Sequence, residues 1–115
     1  DVRLSRGLGD VYKRQVKYET TCPITFNSKI QTESATKAAV SLLGSDKCNG
    51  NIEPRLFSED FSVMANEKPG CFVLMGNGTS EQHSRPLHAD NYDFNDELLV
   101  IGSSYWTELV EQQLK

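Results

Sequence analysis

The sequence predicts an α/β domain, mostly three helices packed on a few buried strands. Three observations predict it. Residues 71–75, Cys-Phe-Val-Leu-Met, form a short apolar run that breaks sharply at Gly76-Asn77-Gly78, as a strand buried on both faces does. Residues 96–113 place Leu98, Ile101, Gly102, Tyr105, Leu109 and Val110 at helical spacing, with Trp106 beside them, a wide apolar stripe suited to facing a core. An alanine-rich stretch ending at Leu43 suits a helix lying close against a sheet.

Composition narrows the class. A chain of 115 residues makes one small domain. Its hydrophobic content of 37% supports a modest core. A formal net charge of −4 argues against a basic nucleic-acid surface. No apolar run approaches the roughly 18 to 20 residues that span a bilayer. Cys22, Cys48 and Cys71 form no Cys-x-x-Cys pair, so neither a zinc knuckle nor a disulfide framework is indicated. They read as free thiols of a reducing cytoplasm.

Taken in order, the chain opens on a run unlike the rest. Residues 1–15 hold four basic and two acidic groups, leaving 8 basic and 14 acidic residues to the remainder. The run has no apolar stretch of a secretory signal. It reads as a translated adapter sequence rather than a basic binding arm. The native protein is then expected to begin upstream, with this chain as its carboxyl-terminal part.

Residues 16–21 alternate as a short strand, and Pro23 ends it or places it at an edge. Asn27 or Ser28 is expected to cap a helix reaching Leu43. Ala35, Ala38, Ala39, Leu42 and Leu43, with Ile30, supply its buried side. Gly44 stands where a helix end takes positive φ. Residues 52–56 suggest a strand interrupted by Pro54. Ser58 is expected to cap a second helix, with Glu59 and Asp60 in its first turn. Pro69-Gly70 turns into the apolar run. On the last helix, Trp106 is expected in the core.

Chemistry is expected in the loop 76–96, because ligands gather beyond the carboxyl ends of strands in open α/β sheets. It carries both histidines, His83 and His88. Asp90, Asp93 and Asp96 lie near His88 in sequence, and a carboxylate can orient a metal-ligating imidazole. One histidine does not make a metal site, which normally takes about three protein ligands. A solvated loop histidine beside acids is the plainer reading. Ser58-Glu59-Asp60 offers a carboxylate pair or, more plainly, a helix cap. Gly76-Asn77-Gly78 suits close approach of a substrate to the backbone, or a tight turn. Asn77-Gly78-Thr79 fits a glycosylation sequon by chance.

Linked motifs carry the reading further. Pro23-Ile24-Thr25-Phe26-Asn27, Ser58-Glu59-Asp60-Phe61-Ser62, Pro69-Gly70-Cys71-Phe72, Leu87-His88 and Tyr92-Asp93-Phe94-Asn95-Asp96 occur in this order. Together they resemble the carboxyl-terminal end of the metal-dependent amidohydrolases of the hippurate hydrolase, aminoacylase and indole-acetyl-amino-acid hydrolase type. The resemblance implies part of a zinc-exopeptidase-like catalytic domain over residues 27–115. It makes residues 16–26 the end of a lid domain, often used for dimerisation, and its return strand.

The resemblance makes His88 a metal ligand and Ser58 and Glu59 neighbours of the substrate pocket; Gly76 and Asn77 are expected to bind substrate through the close backbone approach their turn allows. It implies two divalent ions, zinc or manganese, in the intact enzyme and an N-acyl amino acid as substrate. A bound ion brings the pKa of its water towards about 7. By the resemblance, the glutamate that moves the proton and the other ligands lie upstream. Hence no catalytic residue is expected in this chain, and the isolated chain is expected to be inactive. Ala89-Asp90-Asn91 departs from the small residue and proline usual after the histidine. The competing expectation is a stand-alone, non-enzymatic α/β module that binds a partner through its acidic loop.

Overall fold

The computed structural model describes residues 16–115, and the opening run 1–15 lies outside them. Three α-helices appear: α1, Lys29–Leu43; α2, Phe61–Glu67; and α3, Glu97–Leu114. A 3₁₀ turn, Ser45–Lys47, follows α1. The three predicted helices are therefore present.

The predicted strands are not. Among the described residues none is in a strand, so residues 16–21, 52–56 and 71–75 correct the expected sheet. The physical reason shows at Phe72. A strand exists through its ladder of backbone bonds to a neighbour. Here the Phe72 N–H donates to Asn27 Oδ1 at 2.8 Å, and its carbonyl accepts from Asn27 Nδ2 at 2.9 Å. A side-chain amide takes the place of a neighbouring strand, and it serves one residue only. The Ser28 N–H adds one backbone bond, to the Gly70 carbonyl at 2.9 Å. Nor is the run buried on both faces: Cys71 and Phe72 are half-buried, while Val73, Leu74 and Met75 are exposed.

Helix α1 begins at Ser28, whose carbonyl accepts from both the N–H and the Oγ1 of Thr32, each at 2.9 Å. The Ser28 side chain itself makes no capping bond. Asn27, the other expected cap, is engaged on Phe72 instead. Gly44 ends the helix at φ 88°, with its N–H on the Val40 carbonyl, a conformation glycine adopts without penalty. Ala35 and Ala38 are the buried apolar residues of α1. Ile30 is 74% exposed and Leu42 38%, so the buried stripe is narrower than the pattern suggested.

Those alanines let α1 lie against α3. Farther along, Gln112 Nε2 donates to the Ser34 carbonyl at 3.1 Å and to its Oγ at 2.8 Å. Gln113 Nε2 reaches the same Oγ at 2.7 Å. On α3, Tyr105 is buried as expected, whereas Trp106 is 64% exposed and is not in the core. The two rings meet edge-on at 5.6 Å. Helical spacing marks which residues share a face; it does not supply the surface that would cover Trp106.

Helix α2 starts later than the serine suggested. The carbonyls of Glu59 and Asp60 close its first turn on the N–H groups of Ser62 and Val63. No side chain caps it. Phe61 lies against Phe72, ring centres 5.6 Å apart, and closely over Gly70. This fixes α2 on the start of the apolar run. The Ser62 hydroxyl is fully buried with no hydrogen-bond partner, a position costing about 1–3 kcal/mol.

Two measurements check this packing. Ser62→Ala removes the unpaired hydroxyl and should raise stability by about 1 kcal/mol in denaturant titration; a loss of stability would show that the hydroxyl is engaged. Burial raises the Tyr105 phenol above its ordinary value of 10.0, and nearby Cys71 pushes the same way. A phenol raised on folding contributes stability that is whole below the unfolded value and is lost as pH climbs through the folded one. Melts on either side of pH 10 should therefore show an alkaline loss in the native sequence that is smaller in Tyr105→Phe.

Candidate functional site: the loop between the apolar run and the last helix

One carboxamide organises the loop 76–96. Asn77 Nδ2 donates to the Asp93 carbonyl at 2.7 Å and to the His83 carbonyl at 3.1 Å. Its Oδ1 accepts the Asn95 N–H at 2.9 Å. In return, Asn95 Nδ2 donates to the Asn77 carbonyl at 3.1 Å. The loop's two ends are thereby tied together across 18 residues. Asn95 also starts α3: its Oδ1 accepts from the Glu97 N–H at 3.1 Å, and its carbonyl from the Leu98 N–H at 2.9 Å. Gly78 sits at φ 132°, a backbone strained for any residue with a side chain, and a Cβ there would press on His83 Cβ at 3.1 Å.

Between these ties the loop folds into successive turns. Ser80 accepts backbone bonds from His83 and Ser84. The Ala89 N–H reaches the Pro86 carbonyl at 3.1 Å. Arg85 braces this second turn from outside, its guanidinium on the Asn91 carbonyl at 2.6 Å. Gln82 is hydrogen-bonded to the Asp93 carboxylate. The Tyr92 and Phe94 rings pack edge-on at 4.9 Å.

His88 stands at the third position of the Pro86 turn, exposed, with φ 73°. It is the one non-glycine residue with positive φ among the described residues. Such a backbone is uncommon for a side-chain-bearing residue and costs of order 1 kcal/mol or more. The brace from Arg85 and the turn hydrogen bond hold it there. The ring is displayed outward, not packed inside. No carboxylate pairs with it among the described residues, so the neighbouring acids do not orient it.

The other expected site residues separate. Gly76 is exposed, and a Cβ on it would meet open space. Asn77 has both amide donors committed within the chain. Ser58 lines a separate groove of about 670 Å³, with Ile24, Phe26, Arg55, Phe72 and Leu74 among its walls. Glu59 is half-buried beside it in sequence. The groove's walls include no residue of the loop 76–96. Sequence reasoning missed Asn95 and Arg85, which hold the loop together. The repeated asparagines bracketing it were the available signal.

The arrangement offers one presented imidazole. Among the described residues no three His, Cys, Asp or Glu side chains form a group able to hold a metal ion. Nor is any of their helices long and apolar enough to cross a membrane. Cys22, Cys48 and Cys71 are free and half-buried.

Comparison with known proteins decides the family. The model of peptidase family M20/M25/M40 matches residues 9–112. The chain belongs to this family. The match takes in residues 9–15 of the opening run. Among relatives, the hippurate hydrolase of Campylobacter jejuni is 27% identical over 115 residues, covering 98% of this chain and 29% of that protein. IAA-amino acid hydrolase ILR1-like 2 of Arabidopsis thaliana is 34% identical over 98 residues, 81% of this chain and 21% of that protein. An uncharacterized hydrolase of Staphylococcus saprophyticus is 26% identical over 84% of this chain and 25% of its own length. The chain thus spans about a quarter of the length of the curated relatives it matches. No solved structure matches it. The resemblance to amidohydrolases of the hippurate hydrolase type holds, and it marks this M20 chain as hydrolase-like.

The loop's architecture yields a direct test. Asn77→Asp keeps the side chain's shape but sets a carboxylate oxygen against two carbonyls. It should cost about 2 kcal/mol and raise amide hydrogen exchange across residues 78–95. Exchange unchanged from the native chain would show that the carboxamide does not hold the loop.

Proposed function

We propose that this chain is the carboxyl-terminal part of a metal-dependent amidohydrolase that cleaves the amide bond of N-acyl or aryl-acyl amino acids. Within it, His88 supplies one metal ligand. The observation that carries this reading is the presentation of His88: a strained, braced backbone holds the histidine of the Leu-His motif outward. Strain of this kind clusters at functional sites. Members of the M20 family are generally metal-dependent hydrolases, and the named relatives are hydrolases of hippurate and of IAA-amino acids.

The residues present do not by themselves fit a resident metal. A catalytic ion takes about three protein ligands, and among the described residues no three His, Cys, Asp or Glu side chains come together around His88 or elsewhere. What the chain does is hold one imidazole at a fixed place, ready for ligands carried elsewhere in a longer protein. In that protein, zinc or manganese fills a two-ion centre, residues 27–115 belong to the catalytic domain, and residues 16–26 end a lid used for dimerisation. The setting is cytoplasmic. The apolar groove beside Ser58, with Glu59 next to it, suits the acyl end of a substrate. The backbone at Gly76 lies open to approach. Asn77 positions the loop.

In the full-length protein, His88→Ala should abolish turnover of an N-acyl amino acid and lower bound metal, while the melting temperature hardly moves. His88→Gly relieves the left-handed backbone, so it should lose turnover yet match or exceed the parent's stability. Unchanged turnover in either variant overturns the ligand role. The 115-residue chain alone should show no amidase activity; robust hydrolysis by it would overturn the division of the site.

A further inference from the structure

The chain contains two Asn-Gly pairs, Asn49-Gly50 and Asn77-Gly78. Both glycines sit against a neighbour. A Cβ at Gly50 would stand 2.8 Å from Thr36 Oγ1 on α1. One at Gly78 would crowd His83 on a backbone of φ 132°. An asparagine followed by glycine is the chemically weakest amide in a chain, because no Cβ shields the following nitrogen and asparagine is itself labile. The deprotonated N of the glycine attacks the asparagine Cγ. The bond from Cγ to the side-chain nitrogen breaks and ammonia leaves. Water then opens the resulting succinimide to aspartate or isoaspartate. One ammonia leaves and one water enters, and no oxidant is involved.

The two pairs meet this chemistry in opposite states. Asn49 is exposed, and its one hydrogen bond runs from the Asn51 N–H to its Oδ1 at 3.0 Å. Its leaving nitrogen has no partner among the described residues. Asn77 is half-buried, with its nitrogen bound to two carbonyls and its oxygen to a backbone N–H. Attack by Gly78 would require all three bonds to break as the carboxamide turns.

The geometry points to Asn49 as a site of spontaneous deamidation in the folded chain, and to Asn77 as its protected twin. The outcomes differ as well. At Asn49 a negative charge appears on an exposed segment whose one side-chain hydrogen bond is local. At Asn77 a carboxylate would face two carbonyl oxygens, and the loop that presents His88 would come apart. The fold thus leaves one labile amide free and locks the one that ties its loop together.

Incubation of the 115-residue chain at mildly alkaline pH, in native buffer and in guanidinium, tests this by peptide mass mapping. In native buffer Asn49 should convert and Asn77 should lag by roughly a hundredfold, the effect of three hydrogen bonds of ordinary net strength. In guanidinium the two rates should converge. Asn95→Ala, which loosens the tie, should speed conversion at Asn77 and leave Asn49 unchanged. Equal native rates, an Asn49 that outlasts Asn77, or an Asn77 rate indifferent to Asn95→Ala would each overturn the assignment.

Discussion

The loop between the apolar run and α3 depends on a single planar amide. Asn77 has two N–H donors and an oxygen, and the chain uses all of them, on His83, Asp93 and Asn95. Few residue types could replace it, since aspartate lacks the donors and leucine of similar size lacks everything polar. Because Asn95 also opens α3, the same constraint sets where the last helix begins. The position of His88 follows from it at one remove, through turns that would have no fixed ends without the tie. Asn27 does the corresponding work at the other end of the apolar run, by pairing with both backbone groups of Phe72.

These two asparagines explain which parts of the molecule could be read from sequence. Helices are local objects, so α1 and α3 could be read from periodicity, and Gly44 from its place after Leu43. The loop could be placed from the glycines at one end and the helix start at the other. His88 was identifiable as its chemical centre only through the linked Leu-His and Tyr-Asp-Phe-Asn-Asp motifs. Composition gave no reason to prefer it to His83. The asparagine ties were hidden, because Asn77 meets partners 16 and 18 residues away and Asn27 one that is 45 away.

The sheet failed for the same reason in reverse. An apolar run shows that a segment can be buried, but a strand needs a neighbouring backbone, and here Phe72 pairs with the Asn27 side chain while Ser28 reaches Gly70 just before the run. Ile24, Phe26, Leu99 and Val100 are likewise exposed. Ala35, Ala38 and Tyr105 are the buried apolar residues among those described, a small interior to hold three helices together. Against that background the match to about a quarter of each relative's length and membership of the M20 family give no support to a self-contained binding module. A surface this apolar is a feature of interaction sites.

The outward placement of Trp106 has a practical consequence. It is the sole indole in the sequence, and it sits on the outer side of α3 with Tyr105 beneath it. The chain therefore has a built-in optical reporter on the helix face that solvent now reaches. Any surface laid over that face will shift the emission of this one fluorophore to shorter wavelength, with no label added.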